Sequence, residues 1–150
     1  MPTTLIVLNP ASGRGMGRKL RPRIERALQA TGARFDLVET TAPGHAVALG
    51  REAANAGVTR LICVGGDGTV HEVANGLLQG PPAQDGATGP ALGTIPIGTG
   101  NDFAKLLGVF KLAPEAAAAR MAGGGVEERI FDVGQVIGEY FSNSLGIGLD

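Results

Sequence analysis

The sequence predicts an α/β fold: a parallel sheet with helices on both faces, followed by the start of a β-rich second domain. Three observations lead there. Short apolar runs alternate with segments of helical periodicity. Two of the runs, Leu5-Ile6-Val7-Leu8 and Leu61-Ile62-Cys63-Val64, are apolar throughout rather than at every second residue, the pattern of strands covered on both faces. Glycine makes up 25 of 150 residues, against an ordinary usage of roughly 7%, and it clusters where strands should end. No G-X-Y period runs through the chain, which excludes collagen. With 43% hydrophobic and 18% charged residues, the chain is not of the disordered class either.

Taken in order, Leu5-Ile6-Val7-Leu8 reads as a buried strand ending at Asn9-Pro10. Leu20, Ile24 and Leu28 recur every four residues and form one stripe of a helix. Pro22 is expected near the first turn of that helix, where a missing N–H costs least, and Gly32 closes it in a left-handed conformation. Residues 35–39 form a second strand, 44–56 a second helix closed by Gly57, and 60–64 a third strand. Beyond the glycines at 65, 66 and 68, Val70, Val73 and Leu77 fall at helical spacing. Residues 80–90, rich in Pro, Gly and Asp, read as a loop. A fourth strand over 92–97 and a short helix over 101–107 follow, and Pro114 opens an alanine-rich helix. The pattern changes near Glu127. Residues 129–137 and Tyr140 onward read as a hairpin, with Gly138 at the first position of a type II′ turn, and 146–150 as a further strand. Two strands alone bury too little to be stable. The expected division is therefore an α/β domain over 1–127 and the first strands of a truncated second domain over 128–150.

Bulk properties exclude several function classes. Thirteen basic and 14 acidic residues give a net charge of −1, which offers nucleic acid no electrostatic footing. Cys63 is the single cysteine, so neither an internal disulfide nor a cysteine-rich zinc site can form. Within Leu61-Ile62-Cys63-Val64 it reads as a small core residue. His45 and His71 share no ligand spacing with each other or with Cys63. No apolar run approaches the roughly 20 residues that span a bilayer, and no signal-peptide pattern opens the chain. The expected location is the cytoplasm.

In parallel sheets ligands bind outside the carboxyl ends of the strands. The loops there are residues 9–17, 40–44, 65–69 and 98–102, three of them glycine-rich. Gly65-Gly66-Asp67-Gly68-Thr69 follows the third strand directly and opens a helix. Glycines let main chain approach a polyphosphate, and a helix start offers free N–H groups at the positive end of its dipole. Thr69 can donate a hydroxyl to phosphate. Asp67 can hold Mg²⁺ or accept a proton from an attacking hydroxyl; alternatively it caps the helix. Gly98-Thr99-Gly100-Asn101-Asp102 repeats the arrangement one strand later, with Thr99 a candidate phosphate or ribose contact and Asn101 or Asp102 a candidate cap. Gly13, Gly15 and Gly17 invite comparison with the dinucleotide fingerprint, but its last glycine position is Arg18; the phosphate loop ending Gly-Lys-Ser/Thr is also lacking. Arg14, Arg18, Lys19, Arg21 and Arg23 crowd into ten positions. They form a solvated helix face, attract phosphate or meet an anionic membrane, and Arg14, inside the loop, is the candidate for phosphate. Glu72 is either a helper for Mg²⁺ or a helix-start carboxylate favoured by the dipole.

Three motifs, in this order, resemble the catalytic domain of diacylglycerol kinases and the related bacterial lipid, sphingosine and ceramide kinases. They are Asn9-Pro10-Ala11-Ser12-Gly13, Gly65-Gly66-Asp67-Gly68-Thr69-Val70-His71-Glu72-Val73-Ala74-Asn75-Gly76, and Gly98-Thr99-Gly100-Asn101-Asp102-Phe103-Ala104. Phe131-Asp132-Val133-Gly134 and the segment from Phe141 onward resemble the family's crossover into its second domain. The resemblance implies a phosphofructokinase/NAD kinase-like first domain, a β-sandwich second domain, and ATP between them. It places Asn9, Ser12, Gly13 and Gly65, Gly66, Asp67, Gly68 and Thr69 along the phosphates, with Thr40 and Thr99 as further nucleotide contacts. Asp67 matches the aspartate to which sphingosine kinases assign deprotonation of the lipid hydroxyl. Bacterial diacylglycerol kinases assign the base and the metal-binding acids to the second domain, beyond Asp150. The implied activity is ATP-dependent transfer of the γ-phosphoryl group to a lipid hydroxyl, of diacylglycerol or a similar molecule. ATP and Mg²⁺ are the implied cofactors. The implied partner is a lipid at the inner membrane surface, met without a transmembrane segment, and a homodimer is compatible with all of this. Gly-Gly-Asp-Gly alone is shared with NAD kinases, so an NAD kinase-like enzyme and a non-catalytic nucleotide-binding module stand as alternatives.

Overall fold

The computed structural model describes residues 4–80, 89–124 and 126–142. Four strands, β1 (Thr4–Leu8), β2 (Phe35–Glu39), β3 (Arg60–Gly65) and β4 (Ala91–Pro96), make one sheet in the order β2-β1-β3-β4. Every pairing in it is parallel. Between and after the strands lie α1 (Ser12–Ala30), α2 (His45–Asn55), α3 (Asp67–Leu78), α4 (Asp102–Leu106) and α5 (Pro114–Ala122).

The continuous apolar runs are explained by two cores, one on each face of the sheet. Ile6, Leu8, Ile62, Val64 and Ile95 point to one side and meet Leu20, Ile24 and Leu28 of α1 and Ala117, Ala118 and Met121 of α5. Val7, Leu61 and Cys63 point to the other side, where they meet Ala46, Leu49 and Ala53 of α2 and Val70 and Val73 of α3. The alternation is that of side chains along any strand; both faces are apolar because both are covered. Cys63 is fully buried, and burial alone pushes its thiol well above the ordinary range. On the second face α2 and α3 cross at Gly50 and Gly76. A Cβ on Gly76 would lie 2.1 Å from the Val47 carbonyl oxygen, and one on Gly50 would lie 2.5 Å from that of Val73. These mid-helix glycines buy close helix contact, a use of glycine distinct from the loops and caps.

Pro22 is not near the start of its helix. Gly13, Arg14 and Gly15 all adopt left-handed conformations (φ 60°, 57° and 87°), and regular helix runs from Met16. Pro22 therefore sits inside the helix and leaves the Arg18 carbonyl without its helical N–H partner. The hairpin also differs from expectation. Its strands are β5 (Gly134–Val136) and β6 (Glu139–Phe141), paired antiparallel, so residues 129–133 are not strand. Its central residues are Ile137 and Gly138, both at positive φ (48° and 80°), the signature of type I′ rather than II′. The I′ turn matches the right-handed twist of the strands closely enough to hold even a β-branched residue at positive φ. Most of the loop expected over 80–90 and the strand expected over 146–150 lie outside the described residues.

Candidate functional site

The chain runs from β1 to β2 on one side and then crosses over to β3 on the other side of β1. Sheet order thus reverses between β1 and β3, and the loops leaving those two strands diverge and open a crevice. Backbone bonds hold the mouth of the crevice in place. Asn9 N donates to the Val64 carbonyl (2.9 Å), Thr40 N to that of Leu8 (2.8 Å) and Ile97 N to that of Gly65 (3.1 Å). The loops after β1, β2, β3 and β4 therefore start from fixed points along one rim.

Within that rim the first and third loops are tied by side chains. Asn9 Oδ1 accepts from Ala11 N (3.0 Å), which turns the chain sharply after β1. Asn9 Nδ2 donates to Thr69 Oγ1 (3.0 Å), and Ser12 Oγ lies 3.4 Å from the same hydroxyl. Since Thr69 accepts from Asn9, its own proton is left to point to Ser12 or into the crevice. Gly13 brings the first loop against the end of β4: a Cβ there would stand 2.2 Å from the Ile97 carbonyl oxygen. Gly66 and Gly98 meet backbone to backbone, since a Cβ on Gly98 would lie 2.6 Å from Gly66 Cα.

The acidic residues of α3 cap its neighbours. Asp67 Oδ1 accepts from Phe103 N (3.1 Å) in the first turn of α4, 36 residues away. Neither Asn101 nor Asp102 fills that role. Asn101 adopts φ 53° and closes its own loop, with Oδ1 accepting from Gly98 N (3.1 Å) and Nδ2 donating to Gly98 O (2.8 Å). Asp102 instead pairs with Lys105 (2.7 Å) at the surface. Glu72 Oε2 accepts from Gly44 N (3.1 Å) at the start of α2. Both helix starts have a left-handed cap residue without a side-chain cap of its own, and α3 supplies the missing acceptor to each.

The resulting pocket encloses about 450 Å³, within the range of small-molecule sites. Of the sequence-predicted site residues, Asn9, Ser12, Thr40, Gly66, Gly68 and Thr69 line it. Gly13, Gly65 and Asp67 are not among the lining residues; they hold the loops together. Arg14 is exposed on the left-handed turn, and Thr99 is exposed at the tip of the fourth loop. The lining also includes Arg18, Thr41, Pro43, Ala46 and Glu72. Arg18 is the one cation among the lining residues, and its guanidinium has no partner among the described residues. Arg21 and Arg23 are committed elsewhere: Arg21 to Glu39 (2.8 Å) and Glu25 (3.2 Å), and Arg23 to Glu115 on α5. The basic cluster is thus partly structural, and its contribution to the pocket comes one helical turn beyond Arg14. The pairing of Arg21 and Arg23 with carboxylates on other elements has no trace in sequence spacing. Thr41 was the neighbour of a predicted contact; its N–H and hydroxyl both lie 3.1 Å from His45 Nδ1, which shapes the second loop.

As for a cofactor, the pocket offers four hydroxyls, an amide, a guanidinium and a helix start, a donor set suited to phosphate oxygens. Among the described residues no three His, Cys, Asp or Glu side chains gather as a metal site. A bound Mg²⁺ would take its ligands mainly from phosphates and water, as Mg²⁺ commonly does, with at most one or two carboxylates.

Comparison with known proteins places this architecture. Residues 3–136 match the model of the diacylglycerol kinase catalytic domain. The chain is 38% identical over 143 residues to a diacylglycerol kinase of Bacillus subtilis, covering 95% of this chain and 45% of that protein. It is 36% identical over 128 residues to sphingoid long-chain bases kinase 1 of Arabidopsis thaliana, covering 83% and 16%. The crystal structure of a diacylglycerol kinase from Bacillus anthracis superposes with a TM-score of 0.76 at 33% identity, over 92% of this chain and 45% of that one. The chain spans just under half the length of these bacterial relatives. With a parallel sheet, a pocket at its switch point and a family match over nearly its whole length, the chain belongs to the diacylglycerol kinase catalytic domain family.

Proposed function

We propose that the protein is an ATP-dependent lipid kinase and that this chain forms its nucleotide-binding part. The observation that carries the reading is the convergence of Asn9, Ser12 and Thr69 beside the start of α3, in one pocket with Arg18. In this reading the triphosphate lies along these donors, with Thr40 and Thr41 toward the nucleoside. Residues 1–127 form the nucleotide domain, and residues from 128 onward begin the acceptor-binding domain. Asp67 takes the proton from the lipid hydroxyl as its oxygen bonds to the γ-phosphorus. The bond to the β–γ bridging oxygen breaks, and ADP leaves. When bound, Mg²⁺ would be held chiefly by the phosphates, with Asp67 as its candidate carboxylate, and would supply charge neutralisation. The protein's own share is positioning and electrostatics, the main demands of phosphoryl transfer.

The acceptor is diacylglycerol or a similar lipid, met at the inner membrane surface by an otherwise cytoplasmic protein. Among the described residues no helix is long and apolar enough to cross a membrane. The test sets diacylglycerol in mixed micelles, sphingosine and NAD side by side as acceptors with labelled Mg-ATP. Phosphorylated lipid is the expected product. Phosphorylated NAD alone overturns the proposal in favour of an NAD kinase-like enzyme, and tight ATP binding without transfer favours a non-catalytic module.

A further inference from the structure

Helix α3 starts at the phosphate loop and ends under the hairpin, and one buried side chain makes the second connection. Asn75 is 4% exposed. Its Oδ1 accepts from Tyr140 N and its Nδ2 donates to Tyr140 O, each at 2.9 Å. The carboxamide therefore meets both polar groups of one residue of β6, as a neighbouring strand would. The same Nδ2 also donates to His71 O one turn back (2.9 Å), which fixes the side chain's direction on the helix. Glu139, next to Tyr140, sets a carboxylate oxygen 3.8 Å from His71 Nε2.

Asn75 lies eight residues after Asp67, about 12 Å along the axis at 1.5 Å per residue. Between them Glu72 holds the start of α2, and just beyond Asn75 Gly76 brings α2 into backbone contact. A helix so fixed along its length does not bend easily. A displacement of the hairpin must either break the bonds to Asn75 or move the phosphate loop with it. The near-isosteric replacements fit less well. Asp keeps an acceptor for Tyr140 N but no donor for Tyr140 O. Leu leaves both Tyr140 groups without a partner at a buried position.

We propose that Asn75 is a positioning residue: by docking the β5–β6 hairpin onto α3, it sets the acceptor side of the cleft in register with the phosphate loops. The proposal rests on the lipid-kinase reading. It predicts that nucleotide binding and phosphoryl transfer come apart when Asn75 is changed, because Asn75 does not line the nucleotide pocket.

The experiment compares wild type, Asn75→Ala and Thr94→Val in the full-length protein. Thr94 is a suitable control: it is buried, its hydroxyl donates to Cys63 O (3.3 Å), and it lies away from the pocket and the hairpin. The readouts are the Kd for Mg-ATP, kcat and KM for diacylglycerol in mixed micelles, and hydrogen exchange of the hairpin amides. For Asn75→Ala, kcat is expected to fall at least tenfold, with the Mg-ATP Kd within twofold of wild type and faster exchange at Tyr140. Thr94→Val is expected to keep wild-type kcat. If Asn75→Ala does not fold, Asn75→Asp replaces it under the same criteria. A folded Asn75 variant with wild-type kcat overturns the positioning role. So does a variant whose kcat and ATP binding fall together, since that is a merely structural loss. A wild type that phosphorylates no lipid overturns the kinase reading and the positioning role with it; an active wild type with an unchanged variant overturns the positioning role alone.

Discussion

Asp67 carries two separable duties, and two substitutions pull them apart. One oxygen of its carboxylate accepts from Phe103 N at 3.1 Å and caps α4 from another element. Helix α4 is five residues long, too short to hold itself, yet it seats the buried Phe103 and Ala104. Losing a helix cap costs about 0.5–2 kcal/mol, and a negative charge in the first turn of α3 adds about 0.3–1 kcal/mol. Asp67→Ala removes both contributions and should destabilise by about 1–3 kcal/mol. At about 2–4 °C per kcal/mol for a chain of this size, that lowers the Tm by about 2–12 °C. Asp67→Asn keeps the amide oxygen for Phe103 N and loses only the charge, a cost of about 0.5 kcal/mol. Phosphoryl transfer should fall by about 10²–10⁴-fold in both variants, because neither retains a proton acceptor. Thermal denaturation reads the cap, and steady-state kinetics with Mg-ATP and diacylglycerol read the chemistry. Wild-type rates in folded Asp67→Asn would refute the chemical role. A wild-type Tm in Asp67→Ala would refute the cap.

Arg18→Gln should weaken Mg-ATP binding about tenfold by calorimetry, the loss of one charge-assisted contact of about 1.5 kcal/mol; adenosine, without phosphates, should bind both forms equally. Gly13→Ala meets the Ile97 carbonyl oxygen at 2.2 Å while holding φ 60°, and the left-handed conformation alone costs about 1–2 kcal/mol. Urea denaturation should show a loss of at least about 2 kcal/mol, whereas Gly15→Ala, with nothing within 4 Å of its Cβ, should lose less. Burial raises the Cys63 thiol, so it stays protonated and should resist iodoacetamide at pH 8.5 in the folded protein. Urea should expose it to full modification, and fast labelling without urea would contradict its place in the core.

Much of the fold was legible because its signals are local. All four sheet strands and the α2, α3, α4 and α5 helices appear close to where apolar runs and helical spacing put them. Gly32 and Gly57 stand at positive φ, as helix ends require. Pro22 lies deeper in its helix than the apolar stripe suggests, because the three left-handed residues before Met16 leave no mark on a stripe that begins later. The hairpin turn slipped by one residue because Gly138 fits either of two turn types, and strand pairing decides between them. In the site, the motif loops were legible, but the partners of their side chains were not. An Asp at a helix start reads as a cap for its own helix; that Asp67 caps α4 instead depends on β3 and β4 being neighbours. Arg14 and Arg18 are equally basic in the sequence, and only the turn at 13–15 decides which one faces the pocket.

By itself, the sequence determined the parallel α/β class, the glycine-rich rim and the family, because strand runs, helix periods and loop motifs are short-range patterns. Tertiary structure alone decided that Thr69 is held by Asn9, that Asp67 and Glu72 cap neighbouring helices, and that Asn75 holds the hairpin. Those are contacts between residues 28 to 65 positions apart. They exist only once strand order brings four loops to one edge of the sheet, and no spacing along the chain encodes which polar groups will then lack a partner.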